Sequence, residues 1–354
     1  PARVREGTTV WFCRREWFTK TNHDTEGEIV MRDQSLIVLT GPTAVGKTRV
    51  SISLAKAVGG EIISADSMQV YRHMDIGSAK ITPEEMQGVP HYLVDVLEPS
   101  ERFDVVRFQS MAKDAIRRIT AKGRVPILVG GTGFYIQSVL YDIDFTETKE
   151  NEELRKNLAL EAKQRGSVWL HEQLACVDPE SAAIIAHQNV KRVIRALEFY
   201  YETGTPISEH NRRERQKESP YRYVYFVLND ERQRLYRRID RRVDEMMENG
   251  LVEEVRRLKA AGCNRSMVSM QGLGYKEILD YLDGKCSLEE AVYRIKRDSR
   301  HFAKRQITWF KRERDVTWIE KGAFADDHEI VRYMCSVLEQ RNMLSGKQVG
   351  NDEE

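Results

Sequence analysis

Short apolar runs alternate along the chain with longer segments in which apolar residues recur every three or four positions. The runs at residues 36–39, 62–63, 125–129 and 223–228 are rich in Ile, Val and Leu. Such continuous runs predict buried strands, and the segments that follow them predict amphipathic helices. Strands that alternate with helices form parallel sheets covered on both faces. We therefore predict an α/β fold, a parallel sheet flanked by helices.

One stretch departs from this alternation. Residues 147–221 show helical spacing with little strand pattern, and Gly204-Thr-Pro gives a stop signal near their end. We predict an inserted all-helical lobe here. The α/β core then consists of residues 35–146 and 222–320, with a final strand at residues 316–319.

The two ends of the chain fall outside this core. We interpret residues 1–34 as an N-terminal extension and assign them no function. Residues 321–354 predict a surface helix at residues 326–341 and a polar tail, which we expect to be disordered from residue 345.

The turn after the first predicted strand carries the pattern G-x-x-x-x-G-K-[ST]. Glycines let several backbone N–H groups point at one anion, the helix N-terminus adds partial positive charge, and the lysine supplies a full charge. The hydroxyl that ends the motif suits Mg²⁺. The core is thus predicted to be P-loop NTPase-like, to bind a di- or triphosphate, and to use Mg²⁺ as cofactor through Thr48. The expected phosphate ligands are Gly41, Pro42, Thr43, Ala44, Val45, Gly46, Lys47 and Thr48.

Two further predicted strands end in polar side chains. Asp66 follows the second strand, and Thr132 lies in a glycine-rich connection after residues 125–129. Ligands of open α/β sheets bind beyond the carboxyl ends of the strands, so both residues should face the phosphate loop. A nucleotide hydrolase would also need a strand that ends in a metal-binding carboxylate. Asp95 is a candidate for that role and fits a turn residue at least as well.

Several motifs together make the chain recognisable. They are GPTAVGKT at the phosphate loop, SADSMQVY at residues 64–71, VGGTGFY at residues 129–135, QGLGYKE at residues 271–277 and AKRQITWF at residues 303–310. In this combination the chain resembles the tRNA dimethylallyltransferase family over about residues 35–320. Enzymes of that family transfer a dimethylallyl group from dimethylallyl diphosphate to N6 of the adenine 3′ of the anticodon. The resemblance implies that the phosphate loop holds a prenyl diphosphate.

The resemblance and the chemistry of the reaction assign roles to the site. The N6 amine is a poor nucleophile whose proton becomes acidic only as the new bond forms. Asp66 would accept that proton, Thr132 would be a hydrogen-bond partner, and Lys47 would stabilise the leaving diphosphate. By resemblance Arg242 is a further diphosphate ligand, with Arg238 and Arg241 as open alternatives.

The partner implied is the anticodon stem-loop of tRNA, whose target adenine must leave its stack to reach a crevice. Tyr71, Tyr135 and Tyr275 could stack on bases, but an aromatic residue beside a strand end more often packs in the core. The expected tRNA contacts are Asp66, Ser67, Met68, Gln69, Arg155, Lys191, Arg192, Val193, Ile194, Arg195, Met270, Gln271, Gly272, Leu273, Gly274, Tyr275, Arg305 and Gln306.

Composition limits the partners further. The net charge is only +1, so RNA binding has to come from segregated basic faces such as residues 191–195 and 288–314. A solvated helix face is an equally good interpretation of any one of these segments.

The five cysteines are scattered and no run is long enough to cross a bilayer. We expect a cytoplasmic monomer that does not bind membranes.

Three other functions share the phosphate loop. A small-molecule or nucleotide kinase would use an arginine lid, for which the arginine-rich lobe could be mistaken. An adenylate isopentenyltransferase would modify free AMP or ADP. An RNA-binding GTPase would normally carry Asn-Lys-x-Asp, which the sequence lacks.

Overall fold

The computed structural model describes residues 34–145 and 151–344. Its centre is a sheet of six strands in the order β3-β2-β4-β1-β5-β6, and every neighbouring pair is parallel. Because parallel strands align their carboxyl ends, the predicted site elements meet at one edge of the sheet. The strands are β1 (Ser35–Thr40), β2 (Gly60–Ala65), β3 (His91–Tyr92), β4 (Val125–Gly130), β5 (Arg222–Asn229) and β6 (Val316–Glu320).

Fourteen α-helices occur within the described residues. Those of the core and the C-terminal part are α1 (Lys47–Val58), α2 (Pro83–Met86), α3 (Val105–Ala121), α4 (Gly133–Leu140), α10 (Arg232–Glu248), α11 (Leu251–Ala260), α12 (Tyr275–Leu282), α13 (Leu288–Phe310) and α14 (Asp327–Gln340). Those of the lobe are α5 (Glu152–Arg165), α6 (Ser167–Val177), α7 (Pro179–Ile184), α8 (Val190–Thr203) and α9 (Ile207–Gln216).

The central strand β1 shows why the sheet is covered on both faces. Successive side chains of a strand point to opposite faces. Leu36 and Val38 accordingly enter a core with α3, α4 and the C-terminal helices, whereas Ile37 and Leu39 enter a second core with α1, α10 and α14. All four side chains are fully buried, as expected of a central strand in a parallel sheet with helices packed on both faces.

Helix α14 is the main difference from the predicted fold. It was expected on the surface, but Ile330, Met334 and Leu338 are buried in the core that contains α1. Their spacing of four gives one apolar stripe, and such a stripe is stabilised by packing against another element. The predictions for residues 1–33 and for the polar tail from residue 345 lie outside the described residues.

The lobe helices surround a small core of their own. Leu158, Leu170, Leu174, Val193 and Leu197 are buried there, contributed by α5, α6 and α8. Asp178 caps the start of α7 by accepting a hydrogen bond from the Ser181 N–H at 2.9 Å, a usual role of aspartate before the first turn of a helix. Among the described residues, no helix is long and apolar enough to span a membrane.

Candidate active site

The ends of β1, β2 and β4 bring the three predicted catalytic residues together. The Thr132 N–H donates to the Ala65 carbonyl at 3.3 Å, so the connection after β4 is tied to the residue just before Asp66. The Thr40 hydroxyl donates to the Gly130 carbonyl at 2.6 Å, which joins the start of the phosphate loop to the same connection. The prediction that these strand ends converge is confirmed.

Lys47 is the first residue of α1 and lies within the phosphate loop. Its ammonium donates to the carbonyls of Gly41 and Pro42, both at 2.9 Å. Burial lowers the pKa of Lys47 to about 7, the Asp66 carboxylate opposes this shift, and Arg242 adds to it. Burial thus disfavours the charged form of Lys47 while the loop is empty, and an anion bound in the loop would favour the ammonium again.

Asp66 has its carboxylate fixed by the backbone that follows it. One oxygen, Oδ1, accepts from the N–H of Met68 at 2.8 Å and from the N–H of Gln69 at 3.3 Å. The other oxygen accepts no hydrogen bond from the described residues. The carboxylate is thus held in one orientation with an oxygen available to a ligand.

Two adjoining cavities meet at Asp66. The first, here called the phosphate-loop chamber, has a volume of about 810 Å³ and is lined by Lys47, Thr48 and three arginines of α10, Arg238, Arg241 and Arg242. The second chamber has a volume of about 410 Å³ and is lined by Thr132 and by apolar side chains such as Val243. The residues common to both cavities include Thr43, Asp66, Gly131, Arg242, Met246, Phe302 and Gln306.

The three arginines considered as diphosphate ligands differ in their partners. Arg238 pairs with Asp230, and Arg241 pairs with Glu245. Arg242 makes no ion pair within the described residues, and burial lowers its pKa while Asp66 opposes that shift. A partly buried guanidinium without a carboxylate at contact distance calls for an anion, so the geometry favours Arg242 among the three.

Gln306 has a contact that sequence reasoning did not anticipate. Its Oε1 accepts from the Thr43 N–H at 2.8 Å, and its Nε2 donates to the Gly131 carbonyl at 2.9 Å. A Cβ on Gly131 would lie 2.2 Å from that Nε2, so glycine is required for the approach. Gln306 thus joins the phosphate loop to the Thr132 connection. Only 6% of Gln306 is exposed, so the predicted contact with tRNA is limited to the small part of the residue that lines the two chambers.

Asp95 is not a metal-binding carboxylate of the phosphate site. It pairs with Lys80, whose buried ammonium also bonds Asp75 Oδ1 and the Tyr71 carbonyl, each at 2.6 Å. Lys80 lines the phosphate-loop chamber, while Asp95 does not. Asp95 instead anchors the segment between β2 and α2, which agrees with the turn interpretation.

The segment from Met270 to Tyr275 divides between the core and the second chamber. Gln271, Gly272 and Leu273 line that chamber. Met270 and Tyr275 are fully buried, and the Tyr275 hydroxyl donates to Glu254 at 2.8 Å. These two side chains cannot reach tRNA as predicted, because they pack beneath the segment and hold it in place.

The basic residues of α8 also have unequal surroundings. Lys191 and Arg192 are exposed, Ile194 is half-buried and Val193 is buried in the lobe core, so Val193 offers no side chain to tRNA. Arg195 pairs with Glu198 at 3.0 Å, and Arg155 pairs with the same buried carboxylate at 2.8 Å. Part of the predicted basic face therefore stabilises the lobe.

These arginines line a third cavity, here called the lobe groove, which has a volume of about 980 Å³. It lies between α3 and α4 of the core and α5, α8 and α9 of the lobe. Its lining includes Val106, Phe134, Arg155, Arg192, Arg195 and Arg215.

Along α13, Arg294 and Arg300 are paired with carboxylates, whereas Lys304 and Arg305 make no ion pair within the described residues.

Mg²⁺ fits the oxygen donors beside the phosphate loop. Thr48 and Asp66 line one small recess with Ser64 and Gln69, and hard oxygen ligands of this kind suit the ion. Within the described residues no group of three or more His, Cys, Asp or Glu could hold a metal. Oxygens of a bound diphosphate would have to complete the coordination.

One cation near the phosphate loop was missed altogether. Lys321 follows β6, and its ammonium lies 3.1 Å from where a Cβ on Gly46 would stand. It pairs with Asp327 at 2.8 Å, and Asp327 also pairs with Arg49. The local sequence around Lys321 does not indicate a position near the phosphate loop. Lys321 reaches the loop only because β6 joins the same parallel sheet as β1.

Comparison with known proteins agrees with this geometry. A family model described as IPP transferase matches residues 69–313, more than half of the chain. The chain is 60% identical over 311 residues to a tRNA dimethylallyltransferase of Lachnoclostridium phytofermentans, covering 88% of this chain and 99% of that protein.

Solved structures give the same result. A tRNA isopentenylpyrophosphate transferase of Bacillus halodurans is 45% identical with a TM-score of 0.66, over 88% of this chain and 98% of that one. A eukaryotic dimethylallyltransferase, described as acting on tRNA, is 28% identical with a TM-score of 0.75, over 89% of this chain and 81% of that one. The predicted resemblance is confirmed, and the chain belongs to the IPP transferase family.

Proposed function

We propose that this chain transfers a dimethylallyl group from dimethylallyl diphosphate to N6 of the adenine 3′ of the anticodon in tRNA, giving N6-isopentenyladenosine and diphosphate. The observation that carries the proposal is the position of Asp66 and Arg242 between the phosphate-loop chamber and the second chamber. A diphosphate in one chamber and a purine in the other would meet at this carboxylate. The family and the names of the similar proteins support the same reaction.

The phosphate-loop chamber suits the leaving group. As the bond between the allylic carbon and oxygen breaks, negative charge grows on the diphosphate. The backbone N–H groups at the start of α1, the Lys47 ammonium and the Arg242 guanidinium stabilise that charge in a partly buried site. When bound at Thr48, Mg²⁺ supplies further neutralisation of the diphosphate oxygens.

Asp66 suits the nucleophile. The amine proton becomes acidic as the new C–N bond forms, and the oxygen of Asp66 that is not bonded to backbone accepts it. Positioned proton acceptors of this type contribute about 10²- to 10⁴-fold to the rate. Thr132, tied to the residue before Asp66, orients the reacting atoms by hydrogen bonding from the same side of the second chamber.

The lobe groove and the exposed cations of α8 and α13 suit the RNA. Lys191, Arg192, Lys304 and Arg305 provide charges for backbone phosphates. The second chamber is apolar enough to accept a flipped purine. In this proposal the chain acts as a monomer in the cytoplasm.

A transfer assay tests the proposal directly. Purified protein with Mg²⁺, dimethylallyl diphosphate and an anticodon stem-loop should give a prenylated adenine, detected by mass spectrometry of the digested RNA. Free AMP and ADP serve as competing acceptors, and thermal shifts with ATP and GTP test nucleotide binding. Modification of AMP instead of RNA, or stabilisation by nucleotides without stabilisation by the prenyl diphosphate, would refute the assignment.

A further inference from the structure

A cluster of aromatic rings borders the lobe groove two residues beyond Thr132. Phe134 lies in the first turn of α4 and is 41% exposed. Its ring meets those of Phe145 and Trp309 nearly edge-on, with centroids 6.2 and 6.3 Å away. These contacts hold the Phe134 ring in position although much of it faces the groove.

The cluster is attached to the backbone of the active site. A Cβ on Gly133 would lie 2.2 Å from Trp309 Cδ1, so the indole packs directly on the residue after Thr132. Thr132 lines the second chamber, and Phe134 lines the lobe groove. The exposed ring therefore has a fixed position relative to the chamber that accepts the target base.

The opposite side of the groove carries positive charge. Arg192 on α8 and Arg215 on α9 are exposed, line the groove, and make no ion pair with any described residue. A groove that combines a fixed aromatic ring with guanidinium groups matches single-stranded nucleic acid, whose bases stack and whose phosphates pair with cations.

We propose that Phe134 is a stacking platform for the nucleobase adjacent to the adenine that enters the second chamber. The proposal rests on the proposed function, because RNA must deliver that adenine. Flipping the adenine removes it from its neighbour and leaves one face of the neighbouring base exposed. The Phe134 ring covers that face, and Arg192 and Arg215 contact the phosphates that follow.

The test measures RNA affinity with three variants. Phe134→Ala removes the ring, Phe134→Tyr keeps it, and Tyr333→Ala is the matched control, since Tyr333 is a similarly exposed aromatic of α14 that lines none of the cavities described above. The ligands are an intact anticodon stem-loop and two versions with an abasic site on either side of the target adenine. Binding is measured by fluorescence anisotropy at one salt concentration.

Phe134→Ala should weaken binding of the intact loop about 5- to 100-fold. Phe134→Tyr and Tyr333→Ala should bind like the wild type. One abasic loop should weaken wild-type binding by a similar factor and should bind wild type and Phe134→Ala equally, because the ring then has no base to contact. Retained thermal stabilisation by dimethylallyl diphosphate shows that Phe134→Ala is folded.

Unchanged binding of the intact loop by Phe134→Ala would overturn the proposal. A loss that persists on both abasic loops would also overturn it, because the ring would then act on something other than a neighbouring base. A change in oligomeric state without a change in RNA affinity would assign the ring to a protein contact instead. Failure of the wild type to prenylate RNA would refute the proposed function, whereas the binding series tests the stacking separately.

Discussion

The phosphate-loop chamber and the lobe groove both carry basic side chains, but they hold them differently. In the chamber, Lys47 and Arg242 are poorly solvated, and burial lowers the pKa of each. In the groove, Arg192 is exposed, while Arg155 and Arg195 share the buried carboxylate of Glu198. Charges interact strongly where water is excluded and weakly where salt screens them. We therefore expect the chamber to govern chemistry and the groove to govern RNA affinity.

The largest effect should come from Asp66→Asn. The substitution keeps the shape and the acceptor for the Met68 N–H but removes the charge and most of the proton affinity. Single-turnover prenyl transfer with both substrates saturating should fall about 10²- to 10⁴-fold, with little change in RNA binding. Recovery of activity at high Mg²⁺ would make Asp66 a metal ligand instead, and near-normal transfer would remove it from the chemistry.

Lys47→Ala should reduce kcat/KM for dimethylallyl diphosphate about 10²- to 10³-fold, because a preorganised donor to the leaving group is lost. Thr48→Ala should act in the same direction and raise the Mg²⁺ requirement. RNA affinity should stay nearly constant. Lys56→Ala on the same helix is the control, since Lys56 is exposed and bonds Gln87. An equal fall in RNA affinity would contradict the separation of the two regions.

Gln306→Glu tests the link between the phosphate loop and the Thr132 connection. The new carboxylate can still accept from the Thr43 N–H, but it faces the Gly131 carbonyl without a proton to donate. An unmet buried polar contact should lower kcat about tenfold, with a smaller change in RNA affinity. Gln340→Glu, at an exposed position of α14, is the control. A loss confined to RNA binding would return Gln306 to a direct tRNA contact.

Lys191→Ala and Arg192→Ala should weaken RNA binding severalfold and leave single-turnover rates at saturating RNA unchanged. Each lost phosphate contact should reduce the slope of log affinity against log salt by about one. Arg195→Ala should in addition destabilise the lobe, because buried Glu198 loses a partner. Lys156→Ala on α5 is the control. Unchanged slopes would identify α8 as a solvated face.

The smallest effect concerns stability beside the groove. Glu313 accepts from Gln137 Nε2 at 3.3 Å, and burial raises its pKa from 4.5 to about 7. Since the folded pKa is higher than the unfolded one, the free energy of unfolding should decrease as pH rises from about 4.5 to 7. Glu313→Gln should remove this loss and be more stable at pH 8 by on the order of 1–3 kcal/mol. Urea unfolding at pH 5 and 8 measures this difference, with exposed Glu339→Gln as control. The same pH dependence of stability in Glu313→Gln and in the wild type would contradict the prediction.

Local signals in the sequence were sufficient for most of the chamber. The phosphate loop, Asp66 and Thr132 each follow an apolar run directly, and a parallel sheet brings its strand ends to one edge whatever the details of packing. The helices of the segment at residues 147–221 could be predicted in the same way, since helix start and stop signals depend on only a few neighbouring residues. The family could be recognised because these motifs occur together.

Burial and partner choice were decided only by the tertiary structure. The Gln306 contact with Thr43 joins residues 263 positions apart, and neither local pattern contains that information. The same holds for Tyr275 and Met270, which lie in a motif that marks a site but turn inward to pack. Basic segments look alike in sequence, yet Glu198 neutralises Arg195 while Arg192 remains available. The sequence determined which chemical groups the strand ends carry, because that depends on residues close together in the chain. The three-dimensional packing decided which of those groups remain accessible, because accessibility depends on residues far apart in it.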